Sequence, residues 1–101
     1  MQGYGSKSTR QLFEAIANMH DAEECRAFFE DLCTIKEIQD MAQRLDTALL
    51  LDKGLSYREI SGAVGISSAT ISRVSNCLTY GSGGYRLAID RMAETENKDG
   101  N

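Results

Sequence analysis

Residues 56–78 of this 101-residue chain run SYREISGAVGISSATISRVSNCL. Ser56 followed three positions later by Glu59 is a helix-opening pattern: the serine oxygen accepts from a free backbone N–H and the glutamate reaches back. Ile60 and Val64 then lie one turn apart on a single face. Gly65 stands where a turn needs a residue tolerant of positive φ. Ile66 supplies an apolar plug for that turn, and Ser61 is small where two helices must approach. Ser67 opens a second helix whose inner face carries Ile71, Val74 and Leu78. These spacings together specify two short helices joined by a tight turn, a helix-turn-helix.

The outer face of the second helix reads Ser67, Ser68, Thr70, Ser72, Arg73, Ser75 and Asn76. A merely solvated helix more often carries Glu, Lys and Gln, which are better helix formers. Short hydroxyl side chains instead allow close approach to a major groove. Ser67, Ser68, Ala69, Thr70 and Ser72 lie toward the helix start, where base edges are met. Ala69 and Thr70 suit a thymine methyl. Ser56, Tyr57 and Arg58 open the first helix, whose free N–H groups suit a phosphate. Lys53 lies just upstream as a further phosphate contact. Arg73 can serve DNA, a phosphate or an effector anion.

Charge divides the chain. The net charge is −4, yet residues 11–52 hold ten acidic and three basic side chains, whereas residues 53–91 hold five basic and two acidic ones. The first half reads as a solvated acidic face. The second is where a phosphate partner can dock.

The remainder of the sequence reads as helix throughout. Ser8-x-x-Gln11, Asp21-x-x-Glu24 and Thr34-x-x-Glu37 repeat the helix-opening pattern. Leu12, Phe13, Ile16 and Met19 share one face of the first helix, and Ala22, Cys25, Phe28, Phe29, Leu32 and Cys33 follow on the next. The third and longest helix carries Ile35, Ile38, Met41, Ala42, Leu45, Ala48 and Leu49, widens at Leu50 and Leu51, and closes at Gly54. So wide an apolar face calls for cover from a second subunit. A glycine-rich loop, residues 80–85, precedes a last helix with Leu87, Ala88, Ile89 and Met92. The expectation is an all-α chain: a disordered N-terminus over residues 1–7, one helical domain over 8–93 and a disordered polar tail over 94–101.

Several function classes are excluded on the same residues. No apolar run is long enough to span a bilayer, and the first ten residues lack the apolar block of a signal peptide, so a cytoplasmic protein without membrane partners is expected. Cys25, Cys33 and Cys77 form no C-x-x-C pair, and His20 has no metal-ligand spacing to them. They read as small core hydrophobes in a reducing compartment. No catalytic residue is assigned: His20 is remote from every candidate nucleophile, and Gly81-Ser-Gly-Gly84 lacks the lysine and preceding strand of a phosphate loop.

In Ser56-Tyr-Arg-Glu-Ile60, Ala69-Thr-Ile-Ser-Arg73 and Ser75-Asn-Cys-Leu78 the sequence resembles the Trp repressor superfamily, specifically its YerC/YecD-type branch, over residues 8–92. The resemblance implies a six-helix subunit, an intertwined homodimer, and repression of transcription through two half-sites roughly 34 Å apart. It also implies an effector pocket at Thr34, Arg44, Arg73, Val74 and Cys77. Two of these depart from the tryptophan-binding member: Val74 replaces a glycine that makes room for the indole, and Cys77 replaces a serine near the ligand amino group. The departures argue against tryptophan, and no cofactor is expected. Double-stranded DNA and a second copy of the chain are the expected partners. The competing reading is a helix-turn-helix protein-interaction adaptor without operator binding.

Overall fold

The computed structural model describes residues 5–99. Its six helices are α1 (Lys7–Ala17), α2 (Ala22–Leu32), α3 (Ile35–Asp52), α4 (Tyr57–Val64), α5 (Ser68–Tyr80) and α6 (Gly84–Asp99), with no strand among the described residues. The all-α, six-helix expectation is met. The chain divides into two compact units, Met1–Ile38 and Gln39–Asn101.

In the first unit, side-chain caps set the helix starts. The Asp21 carboxylate accepts from Glu24 N–H at 2.9 Å, and Glu24 accepts in turn from His20 N–H at 2.8 Å. Thr34 and Glu37 exchange the reciprocal pair, at 3.1 and 2.8 Å. The first helix departs from expectation. Its cap is Ser6, whose hydroxyl accepts from Thr9 N–H at 3.2 Å, so Ser8 and Gln11 lie inside the helix. Ser6 offers the same acceptor as Ser8, and its Oγ also lies 3.1 Å from the Thr9 hydroxyl, which favours the earlier start. Neither α1 nor α2 contains a fully buried residue. Phe13, Leu32 and Ile35 are 49, 50 and 62 % exposed.

The second unit holds the core. Ala48 of α3, Val74 of α5 and Ile89 of α6 are buried together, with Leu49, Leu51, Leu78 and Tyr85 packed around them. Thr47 is also fully buried, and its hydroxyl donates to the Gln43 carbonyl at 2.8 Å, so burial leaves no orphaned polar group. α3 stops at Gly54, whose φ of +89° is in the left-handed region. Ser56 and Glu59 form the complete capping box of α4. Gly65, at φ +81°, ends α4, and its N–H donates to the Ser61 carbonyl at 2.9 Å. The Ser61 hydroxyl donates to the Ile66 carbonyl at 2.8 Å and so ties the turn to the helix it leaves. Ser67 then caps α5 by accepting from Thr70 N–H at 3.2 Å.

Two expectations need correction. Helix α6 runs through Asp99, well into the stretch expected to be an unstructured tail. Glu94, Glu96 and Lys98 are good helix formers, and no glycine intervenes before residue 100. At the other end, Lys7, expected in a disordered stretch over residues 1–7, is already in α1 behind its Ser6 cap; residues 1–4 and 100–101 lie outside the described residues. Nor are all three cysteines core hydrophobes: Cys25 and Cys33 are half-buried and Cys77 is exposed. Val74 and Leu78 take the inward positions of that stretch of α5, which turns Cys77 outward.

Two stability predictions follow from the caps and the turn. A Cβ at Gly65 meets no atom within 4 Å, so Gly65→Ala is opposed by the backbone alone, at about 1–2 kcal/mol. Urea unfolding should show a lower midpoint with an unchanged slope. Glu59 is held below the usual carboxylate range, first by the Ser56 backbone N–H and then by the Ser56 hydroxyl. Its folded pKa is therefore depressed, so its contribution is complete above the unfolded value and is lost as pH falls through the folded one. Between about pH 6 and about pH 3, the urea midpoint of the wild type should fall more than that of Glu59→Gln.

Candidate nucleic-acid interface

Helix α4 packs against α5, and α5 against α6. Ile60 and Ile71 have no exposed surface and Val74 only 2 %, so the inner faces of the two short helices are sealed. What remains outward on α5 is Ser68, Ala69, Ser72, Arg73, Asn76, Cys77, Thr79 and Tyr80. The hydroxyl-rich surface anticipated from the sequence is therefore exposed and not consumed by packing.

The outward residues differ in how free they are. Ser67 Oγ already accepts from Thr70 N–H and lies 3.1 Å from the Thr70 hydroxyl, so this pair holds the helix start together. Thr70 itself is half-buried. Ser68, Ala69 and Ser72 carry no such duty. At the start of α4, both polar groups of Ser56 are committed to Glu59. Tyr57 is 41 % exposed, and Arg58 beside it is exposed. Lys53 is exposed beyond the end of α3. Lys53, Arg58 and Arg73 form no ion pair among the described residues. Arg86, by contrast, is bound to Asp52 at 2.6 Å and to Asp90 at 3.5 Å. The positive surface of this unit therefore lies with the first three, Arg44 and Arg91, not with Arg86.

A cleft of about 280 Å³ lies between α3 and the start of α5. It is lined by Asp40, Gln43, Arg44, Ile66, Thr70 and Arg73. Two of the five anticipated pocket residues, Arg44 and Arg73, meet there. Val74 does not line the cleft because it is buried in the core, and exposed Cys77 does not line it either. Thr34 belongs to the other unit, where its hydroxyl is the N-cap of α3. The sequence reading missed Asp40, Gln43 and Ile66. The first two had a usable signal: Asp40, Gln43 and Arg44 are spaced i, i+3 and i+4, which puts them on one helix face. Among the described residues no group of three His, Cys, Asp or Glu side chains is placed to hold a metal ion. No helix among them is long and apolar enough to cross a membrane.

The arrangement matches known proteins over nearly the whole chain. A family model described as Trp repressor protein matches residues 7–93. The Bacillus subtilis (strain 168) protein YerC is 51 % identical over 92 residues, which cover 91 % of this chain and 88 % of YerC. Among solved structures, a TrpR-like protein from Eubacterium eligens ATCC 27750 superposes with a TM-score of 0.84 at 40 % identity, covering 88 % of this chain and 92 % of that one. A chain from Staphylococcus aureus gives 0.82 at 42 % identity, covering 87 and 88 %. With agreement this extensive in both sequence and helix arrangement, the chain belongs to the Trp repressor protein family.

Proposed function

We propose that the chain is a sequence-specific transcriptional regulator, acting as a repressor, whose α4 and α5 form a helix-turn-helix. The observation that carries this reading is the division of α5 into two faces. Ile71 and Val74 are sealed inward, while Ser68, Ala69 and Ser72 stand outward with side chains short enough for a major groove, beside the longer Arg73. Arg58, Tyr57 and the start of α4 meet one phosphate strand, and Lys53 adds a contact upstream. Ser67 and Thr70 set the start of the reading helix and present their hydroxyls there. The protein acts in the cytoplasm, on double-stranded DNA.

The reading includes a homodimer. Leu87 and Met92 on α6 are 54 and 40 % exposed, as are comparable apolar side chains on α1 and α2. So much exposed apolar surface on so short a chain favours a second copy as its cover. Each copy then presents one α5 to one half-site. The cleft at Arg44 and Arg73 is where an effector would enter. Its two guanidinium groups, set beside the single Asp40 carboxylate, favour an anionic group on the ligand.

Two measurements test these statements. The protein should retard duplex DNA, with affinity falling steeply as salt rises. Arg58→Ala and Arg73→Ala should each weaken binding by roughly ten-fold, and a lost phosphate contact lowers the salt slope by about 1. No binding to genomic fragments at low salt would favour the adaptor reading instead. Sedimentation equilibrium at micromolar concentration should give twice the 11.1 kDa chain mass; a single species at the chain mass would remove the dimer.

A further inference from the structure

The α4–α5 unit is entered and left through glycines in the left-handed region, Gly54 at φ +89° and Gly83 at φ +87°. Two residues before the first stands Asp52, the last residue of α3. Three residues after the second stands Arg86, in the first turn of α6. An Arg86 guanidinium N–H donates to the Asp52 carboxylate at 2.6 Å, joining residues 34 apart in sequence. The bond therefore bridges the two points at which the intervening unit enters and leaves.

The placement of these charges is unusual. An anion at a helix C-terminus and a cation in a first turn each oppose the helix dipole. Asp52 and Arg86 each occupy the unfavourable end of their helix, and Glu94, Glu96 or Lys53 show that the chain has other charges to place. Each is electrostatically sensible only in the company of the other. The residues beside them, Leu51 and Tyr85, pack against the core shared by α3, α5 and α6, which holds the pair over that core. Asp90, one turn along α6, also accepts from Arg86, at 3.5 Å. Arg86 is accordingly raised above its ordinary pKa, first by the Asp52 hydrogen bond and then by its charge.

We propose that the Asp52–Arg86 bridge is a positioning clasp that fixes the angle at which the α4–α5 unit is presented to the duplex. The proposal rests on the DNA-binding reading above. It makes neither residue a DNA contact: both act through the orientation of α5.

The decisive variant is Asp52→Asn. Removing an anion near a DNA-binding surface strengthens binding if only long-range charge is at work. Removing one side of a clasp weakens it. With a duplex selected by the full-length wild type from a random pool, Asp52→Asn and Arg86→Gln should each bind about three- to five-fold more weakly. The salt slope of Asp52→Asn should equal that of the wild type, because no phosphate contact is lost. The exchanged pair Asp52→Arg/Arg86→Asp keeps the net charge, places each charge at the favourable end of its helix, and should restore wild-type affinity. Amide hydrogen exchange of the free proteins at Gly54, Leu55 and residues 81–84 should quicken in the single variants and return to the wild-type rate in the exchanged pair. Equal or tighter binding by Asp52→Asn, or an exchanged pair no better than the singles, would overturn the clasp. A salt slope lowered by about 1 in Arg86→Gln alone would make Arg86 a phosphate contact instead. If the wild type selects no duplex, the DNA reading fails and the positioning role fails with it. The exchange rates would then still show whether the bridge pins the segment, and unchanged rates would remove the bridge as well.

Discussion

An eight-residue helix has no independent stability in water, because one costly nucleation step is repaid by only a few hydrogen bonds. Helix α4, in the second unit, is that short. What holds it is the complete burial of Ile60, in a unit where Ile71 of the next helix is equally sealed. Both burials require the chain to reverse sharply between them, and the left-handed Gly65 makes that reversal possible. Everything on the outer side of α5 depends on this. Because the inner face supplies the packing, the outer face has no structural duty beyond the Ser67–Thr70 cap and is open to select side chains for a ligand.

The overall charge of −4 is a poor guide to such a surface. Screening at physiological salt confines exposed charges to a range of roughly 8 Å, so a duplex senses the local distribution rather than the total. Locally, some acidic groups of the first unit are already engaged, as in the Arg26–Glu30 ion pair at 3.2 Å and the Glu24 cap. In the second unit, Lys53, Arg58 and Arg73 form no ion pair among the described residues, while Arg86 is neutralised by two carboxylates. The sequence count treats these cations as equivalent. The structure divides them into groups facing outward and one that ties helices together.

That division marks the boundary of what was legible beforehand. Capping residues are local: Asp21, Thr34, Ser56 and Ser67 bond to groups three residues away, so sequence spacing alone locates the helix starts. Gly65 is legible for the same reason, since its φ is set by the turn it makes. Misreadings arose where several local solutions compete or where tertiary packing decides. Ser6 and Ser8 both qualify as caps, and only geometry separates them. Thr47 is fully buried because its hydroxyl finds the Gln43 carbonyl within its own helix, which gives no periodic signal. Cys77 looks apolar but sits beside two residues with stronger claims on the core. The cleft at Arg44 and Arg73 was half-readable, because its α3 side is a face of one helix and its α5 side comes from packing.

The two units differ in a way that bears on assembly. The second has side chains at zero exposure and a core drawn from three helices. The first contributes two eleven-residue helices without one fully buried residue. Helices of that length are marginal alone even with good caps, and capping contributes only about 1 kcal/mol each. Edge-to-face contact of Phe28 with Phe29, at 6.1 Å, adds little because neighbours in sequence are already close in the unfolded chain. In the homodimer proposed above, Phe13, Leu32 and Ile35 would be the side chains whose cover by a second copy orders α1 and α2.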